Sequence, residues 1–211
     1  QYVTEHDYSK KPLFMYLAYN ATHWPLHALQ EAIDKFVDIY KAGWDNIRET
    51  RFAKQVAMGL FDESVQLSPR DVKVPAWDTL TPEQQEEFTM RMAIYAAPVH
   101  SKDRGVGKVV EALKANGQFD NTVIMLMDDN GACAEHISSG KSKEVTGKAD
   151  TYESYRINWA NVSSTPYREF KHYTNEGGIA SPLIVSWPKG IDSSRNGSIV
   201  QCNWSKCGSL H

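Results

Sequence analysis

The sequence predicts an α/β fold, a largely parallel sheet flanked by helices. Three apolar runs, Leu13–Tyr19, Thr122–Met127 and Pro182–Trp187, are too short for helices and read as buried strands. Long stretches with helical spacing separate the first two. Strands alternating with helices are the pattern of parallel sheets covered on both faces.

The 211 residues suit one domain or a large part of one, and neither a linker nor an internal repeat divides them. Hydrophobic residues make up 41% and charged residues 23%, an ordinary globular composition. A net charge of -3 argues against nucleic acid or an anionic membrane as partner. No apolar run approaches the ~18 residues of a membrane span. Gln1–Pro12 has neither an initiator methionine nor an apolar leader, so Gln1 reads as an internal cut with chain expected upstream. The three cysteines, Cys133, Cys202 and Cys207, cannot all pair within the chain. Cys202 and Cys207 are close enough in sequence to bond, and two free thiols fit as well.

Each element has a local cause. Pro12 precedes the aromatic-rich run Leu13–Tyr19, and the loop Asn20–Pro25 follows it. Leu26–Leu60 is helical, with Ile33, Phe36, Val37 and Tyr40 on one face and Gly43 as the expected break. Ser68–Leu80, with two prolines and no period, reads as a surface excursion. Thr81, Pro82 and Gln84 form a helix start with a capping box. Phe88, Met92, Tyr95 and Val99 continue that helix, and Pro98 predicts a kink or break worth ~3 kcal/mol. Ala115–Gly117 ends it. Thr122–Met127 reads as a central parallel strand and stops at Asp128, Asp129 and Asn130. His136–Phe170 is polar and aperiodic, an expected loop.

Three segments carry candidate chemistry at strand ends, where open α/β sheets bind ligands. Asp129 and Asn130 offer hard oxygen donors for Ca²⁺ or Mg²⁺. Taken alone, Asp-Asn-Gly reads first as a turn, and two donors do not make a metal site. His23, after the first run, can act as general acid or base; in isolation it reads first as a loop residue packed beside Trp24. Lys171 is a point charge suited to an anion, and it reads equally as a surface lysine before the Gly177–Gly178 turn. Together, a cation site, a proton carrier and a fixed positive charge fit chemistry on a sulfate or phosphate ester.

Three ordered motifs then carry a family resemblance: LAYNATHWPLHA, GKVVEALKANGQFDNTVIMLMDDNG and TPYREFKHYTNEGG. The chain resembles the sulfatases of the alkaline-phosphatase-like superfamily, bacterial arylsulfatases among them. The resemblance implies an alkaline-phosphatase-like, mostly parallel sheet flanked by helices, incomplete at the N-terminus, with residues 1–211 as a partial catalytic domain. It implies that His23 contacts the ester and protonates the leaving oxygen. It implies that Lys171 binds a sulfate oxygen, and that Asp129 and Asn130 ligate a divalent cation, Ca²⁺ before Mg²⁺. The family nucleophile is a formylglycine made from Cys or Ser in a Cys/Ser-x-Pro-x-Arg motif, expected upstream of this chain. None of the three cysteines has that context. Asp128, Pro98 and His100 depart from the family pattern, and from about residue 192 the tail looks divergent or frameshifted. The expected activity is sulfate ester hydrolysis on a small-molecule or carbohydrate sulfate, in the periplasm or secreted, with the isolated chain inactive. A phosphoesterase or phosphonate hydrolase of the same superfamily, and a non-catalytic remnant, are the alternatives.

Overall fold

Helices carry most of the order in the computed structural model, which describes residues 1–140 and 144–191 and the backbone of Cys202–Asn203. They are α1 (Tyr2–Glu5), α2 (Gln30–Tyr40), α3 (Gly43–Ala57), α4 (Pro82–Ala115), α5 (Arg156–Ser163) and α6 (Glu176–Ile179). α2 packs along α4, and the face named by periodicity points inward: Ile33 is fully buried, with Phe36, Val37 and Tyr40 against the core. Gly43 divides α2 from α3 as expected. Its φ is +76°, and a Cβ there would meet the Trp77 ring at 2.3 Å.

α2 begins four residues later than the spacing predicts. The N–H groups of Leu26 and Ala28 go instead to Glu153 O and Gly147 O, each at 3.1 Å, so this stretch is an extended strap. His27 lies on that strap, not on a helix; its Nε2 is 2.8 Å from Thr151 O. The capping box forms, with Gln84 N donating to Thr81 Oγ1 at 3.3 Å and Thr81 N to Gln84 Oε1 at 3.0 Å. The expected break at Pro98 does not occur. α4 runs through it for 34 residues. Ala93, Ile94, Ala96 and Ala97 are buried just before it, and α2 lies alongside, so packing outweighs the lost backbone hydrogen bond.

Parts of the expected surface excursion and of the expected loop belong to the core. Trp77, on the supposed excursion, packs edge-on against Trp44 with ring centres 4.7 Å apart. Trp44 also meets Phe88 at 5.1 Å and Trp159 at 5.8 Å. Trp159 belongs to α5, within the polar stretch expected to be a loop, where Tyr155, Ala160, Val162 and Phe170 are also buried. The indole N–H groups are satisfied: Trp44 donates to Pro75 O at 2.9 Å and Trp159 to Phe88 O at 2.7 Å. The polar stretch is further held by Arg91, which bonds Glu153 at 2.6 Å with both side chains 2% exposed. Arg91 Nη1 also donates to Ser154 O at 2.7 Å.

The sheet differs most from expectation. β1 (Ile124–Met127) pairs antiparallel with β3 (Leu183–Ser186), in the register Ile124↔Ser186 to Met127↔Leu183. β2 (Ala180–Ser181) pairs antiparallel with β4 (Cys202–Asn203). Among the described residues both pairings are antiparallel, not parallel, and β1 and β3 are partly exposed rather than wholly inside. Burial on both faces needs a layer on each, and the helices here pack chiefly on one another. Leu13–Tyr19 is not a strand. It has no ladder partner among the described residues, and Phe14 and Tyr16 are 92% and 83% exposed. Apolar and aromatic composition makes a strand only where a neighbour pairs with it. The divergent tail and the Cys202–Cys207 pairing lie outside the described residues, the Cys202–Asn203 backbone excepted.

Glycines join the end of β1 to the chain before β2. Gly131 N donates to Gly178 O and Lys171 N to Ala132 O, each at 2.9 Å. A Cβ on Gly131 would sit 1.8 Å from Gly177 O, a backbone atom that cannot swing aside. Gly131→Ala is therefore expected to destabilise the chain by at least about 1–3 kcal/mol in urea unfolding. Gly107→Ala, within α4 and with nothing inside 4 Å of the new methyl, is expected to stabilise it by about 0.5–1 kcal/mol.

Candidate active site

The His23 loop and the Lys171 loop meet. His23 Nε2 and Lys171 Nζ are 3.5 Å apart, although 148 positions separate them in the chain. His23 Nδ1 lies 2.9 Å from Trp24 O, and a carbonyl oxygen only accepts. The Nδ1 proton is thereby assigned, leaving the Nε2 lone pair to face the ammonium. Leu26 N on Glu153 O anchors the exit of the His23 loop, and the buried Arg91–Glu153 pair holds Glu153.

The Lys171 segment is held in a costly backbone conformation. Glu169 and His172 have φ of 67° and 80°, the left-handed region that side chains disfavour. Each costs on the order of 1–3 kcal/mol, and such residues persist where the surroundings over-determine them. Gly177 and Gly178 are buried beneath, with Gly177 N on Arg168 O at 3.1 Å.

Asp129 and Asn130 end the strand just before the Gly131 contact. Asn130 Nδ2 donates to Gly131 O at 2.8 Å, which turns the amide oxygen the other way. The Asp129 carboxylate is exposed. These two hard oxygens suit Ca²⁺ or Mg²⁺ in kind, while no cluster of three His, Cys, Asp or Glu able to hold a metal occurs among the described residues. Further donors would have to come from elsewhere. Asp128, the departure from the family pattern, lies 3.5 Å from Lys102 Nζ on α4.

Sequence reasoning passed over Glu135. Its Oε2 accepts from Trp24 Nε1 at 2.7 Å and from Cys133 Sγ at 2.9 Å, and Oε1 lies 3.7 Å from His172 Nε2. The thiol and indole donors, with the charge of Lys171 and the His172 contact, hold this carboxyl at about 2, against the partial burial that opposes them. Burial first, then Glu135, push the Cys133 thiol up. It stays a protonated donor and is no thiolate nucleophile, in keeping with its lack of motif context. The only signal for Glu135 in the sequence is a carboxylate a few positions beyond Asn130. The run Ser164-Thr165-Pro166-Tyr167-Arg168 also spells Ser-x-Pro-x-Arg. Ser164 is buried, however, and its hydroxyl donates to Gly177 O at 3.4 Å, so it presents no exposed nucleophile.

The sulfatase family model matches residues 1–203. The chain belongs to the sulfatase family. That membership carries an alkaline-phosphatase-like α/β fold, of which the helices and few strands described are a part. An uncharacterized sulfatase of Schizosaccharomyces pombe is 34% identical over 189 residues, 83% of this chain and 34% of its own. The arylsulfatase of Klebsiella aerogenes is 32% identical over 202 residues, 90% of this chain and 43% of its own. A shorter match, 55% over 38 residues, is to an uncharacterized sulfatase of Escherichia coli. The chain thus spans between about a third and under half the length of the first two relatives.

A pH dependence follows from Glu135. Its folded pKa is lowered from 4.5 to about 2, so its stabilisation is complete above 4.5 and is lost as pH falls towards 2. Urea unfolding at stepped pH is expected to show the parent more stable than Glu135→Gln above pH 4.5, with the difference vanishing near pH 2. A gap that stays constant with pH would contradict this.

Proposed function

We propose that this chain carries part of the active site of a sulfate ester hydrolase of arylsulfatase type. The observation that supports this best is the 3.5 Å approach of His23 Nε2 to Lys171 Nζ in a chain of the sulfatase family. An imidazole and an ammonium facing one another form a natural seat for a tetrahedral dianion or monoanion. A sulfate group entering there takes hydrogen bonds from Lys171 in place of His23. The ammonium then offsets the negative charge that grows on the sulfate oxygens. Negative charge beside the imidazole favours its protonated form. His23 can then give the Nε2 proton to the departing ester oxygen, while its Nδ1–H stays on Trp24 O and keeps the ring aimed.

Asp129 and Asn130 would hold a divalent cation through carboxylate and amide oxygens, Ca²⁺ before Mg²⁺ as the family resemblance implies. When bound, that ion would supply further positive charge beside the sulfate. In the whole protein a formylglycine from a Cys/Ser-x-Pro-x-Arg segment outside these 211 residues would be the nucleophile, and this chain alone would not turn over. The substrate is an aryl, small-molecule or carbohydrate sulfate, and the enzyme is periplasmic or secreted.

In the full-length protein, Lys171→Ala is expected to lower kcat/KM on an aryl sulfate by about 10²- to 10³-fold with little change in unfolding midpoint. Unchanged turnover removes Lys171 from the site, and faster hydrolysis of the matching phosphate ester moves the reading to a phosphoesterase. Calorimetric titration with Ca²⁺ is expected to show at least about tenfold weaker binding after Asp129→Ala. Equal affinity in variant and parent would contradict the ligand assignment.

A further inference from the structure

We propose that Glu135 is a positioning residue that clasps the His23 segment to the Lys171 segment and so keeps imidazole and ammonium face to face. Its importance to catalysis rests on reading that pair as the one that meets the ester. The two oxygens of Glu135 reach in different directions. Oε2 takes the Trp24 indole N–H at 2.7 Å, and the Trp24 ring lies beside the His23 ring, centres 4.7 Å apart. Oε1 faces His172 Nε2 at 3.7 Å, one residue beyond Lys171. The other anchors hold each segment without joining them. His23 N bonds Asn20 O at 3.1 Å within its own loop, and Lys171 N bonds Ala132 O at 2.9 Å. The direct contact between the His23 and Lys171 side chains spans 3.5 Å between exposed groups and cannot set its own geometry.

Charge alone does not account for the placement of Glu135. A carboxylate beside an anion seat repels the anion, so its benefit there is geometric. Cys133 Sγ, donating to the same oxygen at 2.9 Å, fixes the carboxylate from the strand-end side. The clasp therefore gathers the chain after Asn130, the His23 loop and the Lys171 loop at one carboxyl group.

The tautomer of His23 reports on the clasp without requiring turnover. Free neutral histidine prefers the proton on Nε2, whereas the geometry here places it on Nδ1. Nitrogen-15 NMR of the 211-residue chain at about pH 8.5, above the usual histidine range, is expected to show His23 in the Nδ1–H form. In Glu135→Gln, which loses the charge, and in Trp24→Phe, which loses the indole N–H, the signals are expected to shift towards the Nε2–H form. In the full-length enzyme, Glu135→Gln is expected to weaken binding of inorganic sulfate about tenfold, although removal of a negative charge by itself would tighten it. An unchanged His23 tautomer in Glu135→Gln, or tighter sulfate binding, overturns the proposal. If Glu135→Gln does not fold, Trp24→Phe decides by the same signals. A shifted tautomer together with sulfatase turnover unaffected by Lys171→Ala keeps the clasp and discards the ester reading.

Discussion

The close approach of Gly131 to Gly177 and Gly178 is the constraint on which the site depends. Two backbones touch there with no room for a Cβ, and the hydrogen bond from Gly131 N to Gly178 O closes the contact. The strand end bearing Asp129 and Asn130 and the loop bearing Lys171 are brought together by main-chain atoms. Main chain is stiffer than side chain, so this junction fixes distances that long, exposed side chains could not hold for themselves. The left-handed residues on either side of Lys171 are tolerated because that junction leaves the loop few other paths.

A second junction, made of charge, fixes the His23 loop. Arg91 on α4 and Glu153 are almost completely buried and bond at 2.6 Å, with Ser138 Oγ on the other carboxylate oxygen at 2.5 Å. Removing one partner of such a pair strands the other charge, so the geometry is enforced more strongly than the net energy of the pair suggests. Glu153 passes that rigidity on through its carbonyl to Leu26, at the exit of the His23 loop. The end of the polar segment before α5 thus serves as scaffold, with Thr151, Glu153 and Ser154 buried and hydrogen-bonded.

Between the two junctions lies a carboxylate surrounded by donors. The Glu135 carboxyl is held well below the usual carboxylate range because a thiol, an indole, and then Lys171 and His172 favour its charged form. Burial, with the same contact behind it, keeps Cys133 a thiol. A negative group among His23, Lys171 and His172 also limits the mutual repulsion of their positive charges when the imidazoles are protonated.

The sequence by itself determined what depends on neighbours along the chain. Thr81, Pro82 and Gln84 start α4, Gly43 splits α2 from α3, and the inward face of α2 follows its spacing, because caps, left-handed glycines and helical periods are local physics. The three motif-bearing segments were legible too, as apolar runs ending in polar turns, and they sufficed to mark the family. Only the tertiary structure decided which strands pair and in which direction, that Leu13–Tyr19 pairs with none of the described residues, and that α4 continues through Pro98. It alone buried Trp77 and Trp159 in stretches that look like loops, and it alone gave Glu135 its partners, one of them 111 positions away. Strand pairing, burial and hydrogen-bond satisfaction are set by groups distant in sequence, and a single segment holds no record of what will face it.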